Sequence, residues 1–299
     1  MSELRIGTIG TGPIVHWMLR AISATEGVRC TAVCSRAEAT GRALADEFGV
    51  ATVHARPEGL LDDLDVDFVY VASPNDLHFE HARMALEHGK HVICEKPMTP
   101  RRSEAEALVR LAKEKGLYLI DAVTTEYQPN FDVVRAQLPR LGRVKLVLAN
   151  FSQLSSRYGL LIAGETPNVF SLAHAGGCLQ DITFYDAYFC IALFGPPLDA
   201  EYLPNRHASG VDTSGVLLLR YDGFVCSCAG AKDTWGDNFV QIEGEEGHLR
   251  IPEAPHAIPS VRVVTRSSDE TFDEQPDPDR YVYETVSYTH LTLPTIYSV

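Results

Sequence analysis

Leu4-Arg5-Ile6-Gly7-Thr8-Ile9-Gly10-Thr11-Gly12-Pro13-Ile14-Val15 decides how this chain folds. A β-prone run leads directly into two glycines one residue apart, and an apolar helix opens behind them. The first glycine permits a tight turn, and the second lets the backbone approach a pyrophosphate at the helix N-terminus. Val15 stands where a third small residue is usual, so the flanking strand and helix carry the assignment more than the glycines alone. Gly10, Thr11, Gly12, Pro13 and Ile14 are therefore read as dinucleotide-binding residues.

Outward from this stretch, short β-rich runs alternate with amphipathic ones as far as Ala122, the pattern of βαβ units and a parallel sheet. Strands are expected at 4–9, 29–34, 51–54, 68–72, 91–94 and 118–121. The clearest helix is 103–115, with Ser103 and Glu106 as a capping box and Ala107, Leu108, Leu111 and Ala112 as its apolar stripe. The second strand ends in Ser35-Arg36, where NAD specificity usually places an acid for the ribose 2′-hydroxyl. A guanidinium suits a 2′-phosphate, so NADP is preferred over NAD. Ser73, Pro74 and Asn75 follow the fourth strand, at the sheet edge where ligands sit, and are expected to line the cofactor. His78 reads as a helix-start residue.

Past Asp121 the rhythm changes. A helix at 130–138 leads to strands at 143–152, 216–221, 225–229, 240–243 and 248–251, which suggest a largely antiparallel sheet. One apolar stretch, 179–194, is long enough for a helix, and the Pro- and Asp-rich stretch 267–279 reads as an exposed loop. The fold expected is α/β: an N-terminal Rossmann parallel-sheet domain over 1–122, and an α+β domain with a largely antiparallel open sheet over 123–285.

Composition bounds the function. A chain of 299 residues suits two domains. Hydrophobic residues at 45% and charged residues at 22% are ordinary for a soluble protein, and no apolar run approaches a membrane span. The opening residues lack the features of a signal peptide, so a cytoplasmic location is expected. A net charge of −14 argues against nucleic acid, which needs a basic face. Seven scattered cysteines read as reduced core thiols, and the pair Cys226 and Cys228 lacks the second pair a zinc site would need.

Cys94-Glu95-Lys96-Pro97-Met98 ends the fifth strand at the cofactor edge, and Gly176-Gly177-Cys178-Leu179-Gln180-Asp181-Ile182-Thr183-Phe184-Tyr185 lies in the second domain. With the glycine opening, these segments resemble the Gfo/Idh/MocA family. Tyr127-Gln128-Pro129 resembles it too. Thr183 stands where that family usually has glycine, and Tyr185 where many members have histidine. The tyrosine form resembles the dihydrodiol dehydrogenase and glucose-fructose oxidoreductase branches. The resemblance implies cofactor contacts from Glu95, Lys96 and Pro97, and hydride transfer between nicotinamide and a sugar, cyclitol or related polyol.

The chemistry of these residues agrees. Hydride transfer at a carbinol carbon requires a proton to leave or join the oxygen, and a positioned acid/base contributes about 10²–10⁴-fold. A tyrosine, with its ordinary pKa near 10, becomes a usable base when an ammonium stabilises the phenolate. Lys96, Tyr185 and Asp181 are the catalytic candidates. Asp181, one helical turn before Tyr185, would share its face and orient the substrate or Lys96. Tyr127, Arg157, Tyr158 and His174 are weaker candidates for substrate contacts. No metal is expected.

Residues 286–299 resemble the translation of a sequencing adapter, and the family resemblance then implies a missing closing helix. A non-catalytic NAD(P)-binding regulator is the alternative reading, opposed by the retention of Lys96 and Tyr185. A homodimer or homotetramer through the open sheet is expected.

Overall fold

The computed structural model describes residues 3–290 and resolves into two compact units. The first runs to Ala122 and resumes at Asp279, and the second is Val123–Pro278.

The first unit is a parallel six-stranded sheet in the order β3-β2-β1-β4-β5-β6. Its strands are β1 (Leu4–Ile9), β2 (Val28–Cys34), β3 (Thr52–His54), β4 (Phe68–Val71), β5 (His91–Glu95) and β6 (Leu119–Ala122). The order reverses between β1 and β4, the switch point at which open α/β sheets bind ligands. Helices α1 (Pro13–Ala24), α2 (Glu38–Phe48), α3 (Pro57–Leu61), α4 (His78–Glu87) and α5 (Arg102–Lys115) connect the strands. β4 is buried at every position, as expected of a central parallel strand covered on both faces. Helix α5 begins at Arg102 with Arg101 as its N-cap and no side-chain cap, which corrects the capping box expected from Ser103; Glu106 pairs instead with Arg102 at 2.8 Å.

The second unit contains an eight-stranded sheet in the order β14-β13-β12-β11-β7-β10-β9-β8. Helices α6 (Thr124–Tyr127) and α7 (Pro129–Gln137) precede β7 (Val144–Ser152), and α8 (Tyr158–Ile162) and α9 (Phe184–Phe194) precede β8 (Asp199–Arg206). The rest are β9 (Asp212–Arg220), β10 (Val225–Ala231), β11 (Phe239–Gly244), β12 (Gly247–Ile251), β13 (Val261–Thr265) and β14 (Asp269–Phe272). All neighbouring pairs are antiparallel except β7 with β10. β7 and β10 therefore end at the same sheet edge. The stretch read as a loop contains β14, which pairs with β13 and whose Arg262–Asp269 contact at 2.6 Å is wholly on the surface. Pattern reading missed β8, β13 and β14; β8 and β14 are edge strands with mainly polar, exposed residues.

Helix α10 (Arg280–Thr289) returns to the first unit. Asp279 Oδ1 accepts from Tyr281 N at 3.0 Å, an N-cap whose loss typically costs about 1 kcal/mol. Tyr281, Glu284, Thr285 and Tyr288 are buried at helical spacing and form its inner face. Tyr281 stacks on Trp17 of α1 at 5.9 Å, and Thr285 Oγ1 lies 2.9 Å from Thr25 Oγ1. A helix thus packs on α1 within the described residues. Residues 286–289 of the expected foreign tail extend this helix, and 291–299 lie outside the described residues.

Candidate active site

Four loops emerge at the carboxyl edge of the first sheet, after β1, β2, β4 and β5. Gly10 has φ +129°, and a Cβ there would lie 2.4 Å from the Ala72 carbonyl oxygen, so only glycine lets the β1 and β4 loops approach. Gly12 is the N-cap of α1, with Pro13 behind it and no acid in the first turn. A Cβ at Gly12 would meet nothing within 4 Å. The helix N-terminus thus faces open space with its backbone N–H groups and no competing carboxylate, which fits a dinucleotide pyrophosphate. Thr11 and Ile14 are half-buried, whereas Val15 points into the core.

The expected cofactor residues divide by what their side chains do. Ser35 donates its hydroxyl to the Ala37 carbonyl at 2.9 Å and is buried. Arg36 is exposed and has no ion-pair partner among the described residues. Ser73 Oγ lies 2.9 Å from His81 Nδ1, while Pro74 and Asn75 are half-buried. Glu95 turns inward: its carboxylate accepts from the Tyr70 hydroxyl and from Lys96 N at 3.2 Å. Burial pushes Glu95 above the ordinary carboxylate range, despite the Tyr70 bond and the nearby Lys96 ammonium. Behind it, burial and the Glu95 charge push Glu284 up to about 8, and Tyr288 donates to Glu284.

His78, read from sequence as a helix start, ties two of these loops together. It is 1% exposed, with Nδ1 2.9 Å from the Pro97 carbonyl and Nε2 2.8 Å from the Ser73 carbonyl. Burial lowers its pKa, and Lys96 adds to that against the pull of the carbonyls. A neutral ring carries one N–H, so it donates to one carbonyl at a time.

In the second unit the glycine pair has a packing cause. A Cβ on Gly176 would lie 2.4 Å from the Asn168 carbonyl oxygen. Gly177 has φ +130°, and its Cβ would lie 2.1 Å from Asp212 Oδ1. Asp212, from the start of β9, accepts from Leu179 N and from the Tyr202 hydroxyl, both at 2.7 Å. A carboxylate from a distant strand therefore caps the turn that follows. That turn, Leu179–Thr183, is a π-helix, a form frequent at functional sites, and it continues into α9. Thr183 is fully buried against Gly230 of β10, where a Cβ would lie 2.0 Å from Thr183 Oγ1. The larger residue on the turn is matched by the smallest on the strand.

The π-turn carries Asp181 to Lys232, the residue after β10. Lys232 Nζ lies 2.5 Å from Asp181 Oδ2 and donates to the Val169 carbonyl at 3.2 Å. Both residues line a cavity of 260 Å³ together with Gln153, Ser155 and Ser156. Tyr185, one turn on, is half-buried among aromatic rings: Phe151 at 6.1 Å and His256 at 5.7 Å. His256 stacks on Phe151 at 4.5 Å, and its carbonyl accepts from Thr124 at 3.1 Å.

The weaker candidates fall elsewhere. Tyr158 packs on Phe170 in a small apolar cluster with Leu161 and Val211. Arg157 is exposed at the start of α8, Tyr127 ends α6, and His174 ends a short turn before Ala175, whose φ is +50°. None of the four lines the 260 Å³ cavity. Sequence reading missed Lys232, Asp212, His256 and Phe151. Lys232 had one visible signal, a lone cation directly after the apolar run of β10. Among the described residues no cluster fits a metal ion, and no helix is long and apolar enough to cross a membrane.

Residues 4–122 match the family described as "Oxidoreductase family, NAD-binding Rossmann fold", and 137–250 match the GFO/IDH/MocA C-terminal domain. The uncharacterized oxidoreductase YgjR of Escherichia coli is 35% identical, over 83% of this chain and 76% of its own length. The scyllo-inositol 2-dehydrogenase (NADP(+)) IolU of Bacillus subtilis is 34% identical over the same shares. The structure of KijD10, a 3-ketoreductase from Actinomadura kijaniata in complex with NADP and TDP-benzene, superposes with a TM-score of 0.84 at 26% identity, covering 97% of this chain and 89% of that one. The chain belongs to the Gfo/Idh/MocA family and is an NAD(P)-dependent oxidoreductase.

Proposed function

We propose that this enzyme uses NADP in preference to NAD and interconverts a carbinol and a carbonyl on a sugar, cyclitol or related polyol. The observation that carries the reading is the polar cavity at the ends of β7 and β10, since the turn that brings Asp181 into it continues into Tyr185. The relative named as a scyllo-inositol dehydrogenase supports the same substrate class.

When bound, the nicotinamide supplies or accepts the hydride. Tyr185 exchanges the accompanying proton with the substrate oxygen, and the Lys96 ammonium stabilises its phenolate. Asp181, paired with Lys232, accepts from substrate hydroxyls. Phe151 and His256 wall Tyr185 and exclude water from it. Arg36, unengaged by any carboxylate among the described residues, receives the 2′-phosphate.

Nicotinamide absorbance over a panel of sugars and polyols tests the activity, and Lys96→Ala and Tyr185→Phe test the mechanism. Both variants are expected to lose at least about 100-fold in kcat while binding NADPH normally. Near-normal turnover in either one removes the proton-transfer assignment.

A further inference from the structure

The turn after β5 is held from behind on both sides of Lys96. The Tyr70 hydroxyl donates to Glu95, the Glu95 carboxylate accepts from Lys96 N at 3.2 Å, and the Cys94 thiol donates to the Met98 carbonyl at 3.6 Å. These contacts come from β4 and β5 themselves. A further one comes from His78, the first residue of α4, whose Nδ1 lies 2.9 Å from the Pro97 carbonyl. Its other nitrogen lies 2.8 Å from the Ser73 carbonyl, in the loop after β4. Two acceptors thus face one ring, and burial disfavours the imidazolium that would satisfy both. The neutral ring has to serve one of them. Pro97 is buried, and a carbonyl left there without a donor has no water to turn to, whereas Ser73 is half-buried and its carbonyl can be hydrated. That difference in cost places the proton on Nδ1.

Resting on the role given to Lys96 above, we propose that His78 is a positioning residue for Lys96: as the Nδ1–H tautomer it donates to the Pro97 carbonyl and fixes the turn that carries the lysine. At 1% exposed, the ring has no surface to offer a cofactor or substrate, so it acts only through that turn. Nε2 then faces Ser73 as an acceptor, and the loop after β4 gains no hydrogen bond from it.

The test uses the shapes of two amides. An asparagine amide nitrogen falls near Nδ1 of a histidine and a glutamine amide nitrogen near Nε2, so His78→Asn keeps the donor to Pro97 and His78→Gln keeps one to Ser73. In the full chain with NADP(H) and the polyol turned over best in the panel, kcat of His78→Asn is expected to exceed that of His78→Gln at least about tenfold. Their melting temperatures should agree within about 3 °C and their NADPH Kd values within about threefold. A purely structural role costs both variants alike. His78→Gln should also lower kcat at least about tenfold in wild type but less than about twofold in Lys96→Ala, where nothing remains to be positioned. Ring ¹⁵N shifts of wild type near neutral pH read the tautomer whether or not either variant folds or turns over substrate. A proton on Nε2, alone or as well, overturns the assignment. So does an Asn-to-Gln ratio near one, or an undiminished His78→Gln effect in an impaired Lys96→Ala, and both leave the role of Lys96 intact. Near-normal turnover in Lys96→Ala overturns the lysine's role and the positioning with it.

Discussion

The carboxyl edge of the first unit is shaped by backbone, whereas the β7–β10 edge of the second is shaped by side chains drawn from distant sequence. Gly10, Gly12 and Pro13 lie in one continuous stretch that leaves space at the start of α1. Asp181 and Lys232 are 51 residues apart, and the turn carrying Asp181 is capped by Asp212, 33 residues beyond the N–H it accepts from. A local device leaves a motif that can be read along the chain. A long-range one leaves isolated polar residues whose partners are invisible until the sheet forms.

The largest expected effects come from the glycines and separate the two constructions. Gly177→Ala forces a left-handed φ on a Cβ that would overlap Asp212, so a loss of about 3 kcal/mol or more is expected, with poor recovery of folded protein. Gly12→Ala has open space and an ordinary φ of −74°, so stability should hold within about 0.5 kcal/mol while NADPH affinity falls tenfold or more. Thermal melts beside a fluorescence titration measure both. A Gly12→Ala protein that melts early, or binds normally, would show that the glycine serves the fold and not the ligand.

A smaller effect concerns pH. Glu284 sits at about 8 when folded, against an ordinary carboxyl near 4.5. Below about pH 4.5 both states hold the proton. Between the two values only the folded state keeps it, so stability is lost as pH rises toward 8. Glu284→Gln does not titrate. The melting temperature of wild type should therefore fall relative to Glu284→Gln between pH 5 and 8, by the equivalent of about 1 kcal/mol or more. Parallel curves would mean that α10 does not bury this carboxyl in solution. The smallest effect is on cofactor choice: Arg36→Ala should raise KM for NADPH about tenfold and leave NADH unchanged. An equal change for both cofactors would remove the 2′-phosphate assignment.

The parallel sheet was legible because short β-rich runs such as β1, β4 and β5 alternate with amphipathic helices, and α5 ends at a glycine stop, Gly116. Edge strands β8 and β14 were not, since strands exposed on both faces carry no alternation to detect. Helix α10 escaped because its inner face includes Glu284 and Thr285, polar residues that are buried only because Tyr288 and Thr25 meet them. Ser35 and Glu95 were legible as residues at the right edge, but their side chains turn toward Ala37 and Tyr70. Position along a strand says which edge a residue reaches and nothing about which neighbour captures its polar atoms.

The sequence by itself determined the βαβ order, the glycine-gated nucleotide edge, the lysine after β5 and the turn bearing Asp181 and Tyr185, because each depends on local backbone geometry or a short contiguous motif. Only the tertiary structure decided that Lys232 neutralises Asp181, that Asp212 requires Gly177, and that α10 closes on α1. Those outcomes depend on burial. Desolvation makes an unpaired charge or hydrogen-bonding group costly, and which partner meets that cost is settled by how the sheets and helices pack.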